Sequence, residues 1–65
     1  MKIQLNGASH DTEQNDLATL VAALGHDADK VATAVDGLFV ARTARAQTPL
    51  HEGCAVEILA PMEGG

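Results

Sequence analysis

The chain has 65 residues, with nine acidic against four basic side chains, a net charge of −5 and a hydrophobic fraction of 46%. Those values describe one small domain with enough apolar content for a core, and they argue against disorder. They also oppose nucleic-acid binding, which needs cationic neutralisation of phosphates, and the one aromatic residue, Phe39, provides no base-stacking platform.

"MKIQLNG" alternates, with Ile3 and Leu5 on one face and Lys2 and Gln4 on the other, as a half-buried strand does. Asn6-Gly7 is a hairpin signal, because both residues tolerate positive φ. The polar "ASHDTE" that follows reads as a short, exposed edge strand. In "NDLATLVAALG", Leu17, Leu20, Val21 and Leu24 recur at helical spacing and form one apolar stripe. Asp16 is placed to cap that helix, and Gly25 suits the left-handed position just past its end. In "KVATAV", Val31, Thr33 and Val35 share a face. Asp36-Gly37 is a second hairpin signal, and the apolar run "LFVA" follows it. "RTARAQTPLHEG" reads as irregular, broken by Pro49 and Gly53, with Leu50 as its core anchor. "CAVEILA" alternates again, with Val56 and Ile58 inward and Glu57 outward.

One helix and several short strands imply a two-layer α+β domain with the helix on one face of a sheet. The expected core is Ile3, Leu5, Leu17, Leu20, Val21, Leu24, Val31, Val35, Leu50, Val56 and Ile58. Leu38, Phe39 and Val40 are consecutive and cannot all face inward. At least one is expected at the surface, as a docking contact or as an ordinary scattered surface apolar.

Few residues suggest chemistry of their own. His10, His26 and His51 lack metal-ligand spacing and read as surface histidines, so no metal site is expected. The single cysteine, Cys54, shares the face of Val56 and Ile58 and reads as a partly buried structural thiol rather than a nucleophile. A hydrolase built on Cys54 and His51 would need a third group and an oxyanion motif, and neither accompanies them. Arg42 and Arg45 read as solvated, with contact to an acidic partner surface as the other reading. No apolar run reaches the ~20 residues of a membrane span. "MKIQLNG" lacks the apolar stretch of a signal peptide, and a lone cysteine suits a cytoplasmic location.

The order of "MKIQLNG", "DLATLVAALG", "AVDGLFVAR", "TPLHEGCAVEIL" and the closing Gly64-Gly65 resembles the ThiS family of bacterial thiamine-biosynthesis sulfur carriers along nearly the whole chain. Members often carry Pro-Arg after the fourth strand and Asp-Gly-Asp before the last, where this chain has Ala41-Arg42 and Glu52-Gly53-Cys54. The resemblance implies a ubiquitin-like β-grasp fold, in which one mixed sheet packs on one main helix and the first and last strands lie side by side. It implies a single domain over 1–65, with 61–65 as a flexible functional tail. It further implies a protein co-substrate rather than an enzyme, with no catalytic residue and no bound cofactor. An adenylating activating enzyme would use ATP on the Gly65 carboxylate. A sulfur-transfer enzyme with its sulfur donor would convert the product to a thiocarboxylate, and thiazole synthase would receive the sulfur. Gly64 would give the tail the slenderness needed to enter a partner, since glycine has no Cβ to meet channel walls. Pro61 would stiffen the exit from the last strand or mark its end. Phe39 and Met62 are candidate partner contacts, although Met62 can equally be a satellite of this chain's own core. The small subunit of molybdopterin synthase, or another ubiquitin-like carrier or modifier, is the alternative.

Overall fold

The computed structural model describes residues 1–60. Both hairpin signals form the tight turns that their composition favours. Asn6 and Gly7 have φ of 50° and 84°, and Asp36 and Gly37 have φ of 52° and 83°. Two successive positive φ values match the twist of the flanking strands, so each turn folds the chain straight back. The first joins β1 (Lys2–Leu5) to β2 (Ala8–Asp11), and the second joins β3 (Ala32–Val35) to β4 (Leu38–Val40). The last strand, β5 (Ala55–Leu59), lies between the hairpins, giving the order β2-β1-β5-β3-β4. β1 and β5 run parallel and the other neighbours antiparallel, so the sheet is mixed and its first and last strands are adjacent, as expected.

One helix, α1 (Leu17–Ala23), covers one face of the sheet. Asp16 caps it, its Oδ1 accepting from the Thr19 N–H at 2.9 Å. Such a cap contributes about 1 kcal/mol. At the other end Gly25 is left-handed, with φ of 84°. The Gly25 N–H donates to the Ala22 carbonyl and the His26 N–H to the Val21 carbonyl, which closes the helix with a Schellman motif. Two turns of helix are not stable alone in water, so α1 depends on its buried stripe. Leu17, Leu20 and Val21 are buried together with Ile3, Val35, Leu50, Cys54, Val56 and Ile58. Each such side chain contributes on the order of 1.5–3 kcal/mol when fully buried. Leu5, Leu24 and Val31, expected inside, pack half-buried at the margin of this cluster.

Two expectations need correction here. The stretch after β4 is not irregular throughout, because Arg42–Gln47 forms a 3-10 helix. Cys54 is fully rather than partly buried, since it sits at the entry of β5 on the face that carries Val56 and Ile58. Residues 61–65, and with them the expected tail, lie outside the described residues.

Candidate functional site

Where α1 covers one face of the sheet, the other face is open. β5 alternates, so Ala55, Glu57 and Leu59 are exposed while Val56 and Ile58 are buried. The strand register aligns the outward residues across the sheet. Glu57 lies opposite Ala34, Ala34 opposite Phe39, and Leu59 opposite Ala32. Phe39 is 75% exposed and Leu59 63%, and the alanines between them leave a shallow hollow of about 120 Å³, with Glu57 on its wall. This apolar patch lies where β5 ends and the chain continues toward Gly65. Of the run Leu38-Phe39-Val40, two residues are exposed and Val40 is half-buried, which meets the expectation of at least one at the surface. The sequence reading did not single out Leu59. Its outward position in the alternating "AVEIL" is the signal that could have found it.

β5 is gripped from both sides by the turn residues. The Asn6 side-chain amide donates from Nδ2 to the Ile58 carbonyl at 3.1 Å, and its Oδ1 accepts from the Ile58 N–H at 2.9 Å. On the opposite flank Asp36 Oδ1 accepts from the Ala55 N–H at 2.9 Å, and Oδ2 lies 3.1 Å from His51 Nε2. The Ala55 N–H and then the His51 imidazole hold the Asp36 carboxyl below its ordinary pKa.

Arg45 corrects the expectation that it is solvated: it is 3% exposed. Its Nε donates to Thr33 Oγ1 at 2.9 Å, Nη1 to the Ala28 carbonyl at 2.9 Å and Nη2 to the Val31 carbonyl at 2.7 Å. The segment leading into β3 makes only a single 3-10 turn, Ala28–Lys30, and the guanidinium takes up carbonyls around it. Arg42 is exposed, as expected, and pairs with Asp29 at 3.2 Å.

The remaining candidates do not converge. His26 and His51 are exposed and His10 is half-buried on the β2 edge. Among the described residues no group of three His, Cys, Asp or Glu side chains could hold a metal. The His51 ring faces Asp36 and the Glu52 carbonyl, and the Cys54 thiol is buried in the core, so the two do not form a catalytic pair. Met62, Gly64 and Gly65 lie outside the described residues. No helix among those residues is long and apolar enough to cross a membrane.

A mixed five-stranded sheet, with its first and last strands paired and one main helix across it, is the ubiquitin-like β-grasp fold. The family model that matches the sequence is that of the ThiS family, over residues 3–65. The chain belongs to the ThiS family. It is similar to the crystal structure of a thiamine biosynthesis protein (ThiS) from Geobacter metallireducens, with 29% identity, a TM-score of 0.84 and full coverage of both chains. It is also similar to the NMR solution structure of a thiamine biosynthesis protein from the same organism. There the identity is 30% and the TM-score 0.82, over 100% of this chain and 88% of that one. No curated protein sequence matches it.

Proposed function

We propose that this protein is a sulfur carrier of thiamine biosynthesis, acting in the cytoplasm as a co-substrate of other enzymes. The family match over residues 3–65 carries the reading, because it takes in both the β-grasp body and Gly64-Gly65. A carboxylate is a poor acyl donor, since oxide is not a viable leaving group. Activation of the Gly65 carboxylate by attack on the α-phosphate of ATP would release pyrophosphate and leave an acyl-adenylate. A sulfur nucleophile delivered by a sulfur-transfer enzyme would then add to the acyl carbon and expel AMP, leading to the thiocarboxylate. Thiazole synthase would take the sulfur from that group. The chain itself contributes the acyl group, a slender Gly64-Gly65 approach and a surface to be held.

The open-face patch of Phe39 and Leu59 is the proposed grip, with Met62 as a further contact. Its position at the end of β5 would let a partner hold the domain while receiving Gly65. The test is intact-mass measurement after incubation with the adenylating enzyme, ATP and a sulfur donor. One oxygen-to-sulfur exchange is expected, absent in a variant lacking Gly64 and Gly65. No exchange with an activating enzyme shown to work on another carrier would overturn the reading. Rescue of a molybdenum-cofactor-deficient strain, but not of a thiamine-requiring one, would assign the chain to the other pathway.

A further inference from the structure

The chain holds two asparagines, and the structure makes them chemically unlike. Asparagine is thermolabile, because the backbone nitrogen of the next residue can attack its side-chain carbonyl carbon. Asn15 is followed by Asp16, whose side chain crowds that attack, whereas Asn6 is followed by Gly7. Gly7 is exposed, and a Cβ built on it would meet no atom within 4 Å. No described residue accepts a hydrogen bond from the Gly7 N–H. The nucleophile is therefore free. The electrophile is not, since Asn6 Nδ2 donates to the Ile58 carbonyl at 3.1 Å and Oδ1 accepts from the Ile58 N–H at 2.9 Å. The Asn6 N–H is anchored to β5 as well, donating to the Val56 carbonyl at 2.9 Å.

Both ends of the Asn6 amide are thus held on one residue of β5. Ring closure needs the amide carbon to swing onto the Gly7 nitrogen, and that rotation breaks both hydrogen bonds. The Ile58 N–H also polarises the amide carbonyl, but a nucleophile held out of line gains nothing from that. We propose that Asn6 is a gated deamidation site, held unreactive by its clasp on Ile58 and converted when the β1–β5 contact opens. The Gly7 nitrogen then bonds to the Asn6 side-chain carbonyl carbon, the bond from that carbon to Nδ2 breaks, and ammonia leaves with the Gly7 amide proton. Water opens the resulting cyclic imide. Cleavage on the side-chain side leaves aspartate, and cleavage on the backbone side leaves isoaspartate.

Either product adds a negative charge to a chain already at −5. Aspartate sets an acceptor against the Ile58 carbonyl, and isoaspartate lengthens the turn by a backbone atom, so neither re-forms the clasp. Conversion is therefore one-way, and it marks chains whose last strand has opened. The matching turn at Asp36-Gly37 does not share this chemistry. Its side chain is a carboxylate kept ionised by the Ala55 N–H and His51, and an anion with oxide as its leaving group is a poor acyl electrophile. None of this requires the carrier reading.

Incubation of the full chain at neutral pH, folded and in urea, tests the gate. Intact mass follows the exchange of NH for O, and peptide mapping places it and separates aspartate from isoaspartate. Asn6 should convert about thirtyfold more slowly in the folded chain, the factor set by opening two hydrogen bonds of ordinary net strength. Asp36→Asn builds a second Asn-Gly on the same backbone, with only the Ala55 N–H to hold it to β5. In that folded variant position 36 should convert faster than Asn6, and in urea the two should convert at similar rates. The deamidated chain should show its largest amide shifts around Asn6 and Ile58, and a lower midpoint of unfolding. Equal Asn6 rates in the folded and unfolded chain, or slower conversion at position 36 than at Asn6 in the folded variant, would overturn the gate. An unchanged midpoint after deamidation would overturn the one-way coupling. The parent chain's own two rates decide the question even if Asp36→Asn does not fold.

Discussion

The two hairpin turns share a backbone and differ in one atom pair. Asn6-Gly7 and Asp36-Gly37 agree within about three degrees of φ at each position. Both place a short polar side chain against the backbone of β5, from opposite flanks. Asn6 offers a donor and an acceptor, and so satisfies both the N–H and the C=O of Ile58. Asp36 offers acceptors only, so it takes the Ala55 N–H and turns its second oxygen to His51. The left-handed turn explains why Asn and Asp both fit. What the side chain can hydrogen-bond decides which brace depends on pH. Arg45 extends the principle to the segment before β3, where side-chain donors again complete backbone carbonyls.

The largest break comes from removing the brace that satisfies most groups. Arg45→Met keeps the apolar stem but leaves the Ala28 and Val31 carbonyls without their donors, and it deprives Thr33 of a partner. A loss of about 3 kcal/mol is expected in denaturant unfolding, because each buried polar group left unmade costs 1–3 kcal/mol. Arg45→Lys should recover part of that, since an ammonium brings donors but not a planar fork. A change below 0.5 kcal/mol, about the scatter of ordinary surface substitutions, would show that water replaces the guanidinium. Asn6→Ala comes next, at about 2 kcal/mol, for two lost hydrogen bonds to Ile58 and a left-handed residue without asparagine's tolerance. Asn6→Asp separates the two causes. It suits the turn but sets an acceptor against the Ile58 carbonyl, so stability rising on acidification is expected in that variant.

How much of this was visible in the sequence follows from the range of each interaction. Asn6-Gly7 and Asp36-Gly37 announce themselves, because the constraint is local and few residues accept positive φ. The stripe Leu17, Leu20, Val21 and the alternation of "AVEIL" are also local, and they place the helix and the last strand correctly. Arg45 was not legible. An arginine in a polar connection is ordinarily solvated, and the carbonyls that claim this one lie 14 and 17 residues earlier. Cys54 was half legible, since its face follows from β5 while its full burial depends on the tertiary cluster that it joins, built from residues as distant in the chain as Ile3 and Leu17. Of the candidate site, Phe39 was legible as an apolar residue too many for one face. Leu59 joins it only through the register of three strands. Which turn would be coupled to a histidine was likewise hidden, because His51 reaches Asp36 from 15 residues away.

That coupling gives the smallest and most selective effect. The folded-state pKa of Asp36 is lowered, first by the Ala55 N–H and then by His51. A depressed carboxylate contributes stability above its unfolded pKa, near 3.9, and that contribution fades as pH falls through the lower folded value. Asp36→Asn removes this titration while retaining a residue that accepts the turn. Its unfolding curve should therefore run below the parent at neutral pH and converge with it under acid. Asn6→Ala should instead lower stability by the same amount at every pH, because a neutral amide does not titrate. Parallel curves for Asp36→Asn and the parent down to acid pH would mean that the Ala55 N–H gains nothing from the charge. The two turns would then be equivalent braces, despite their different side chains.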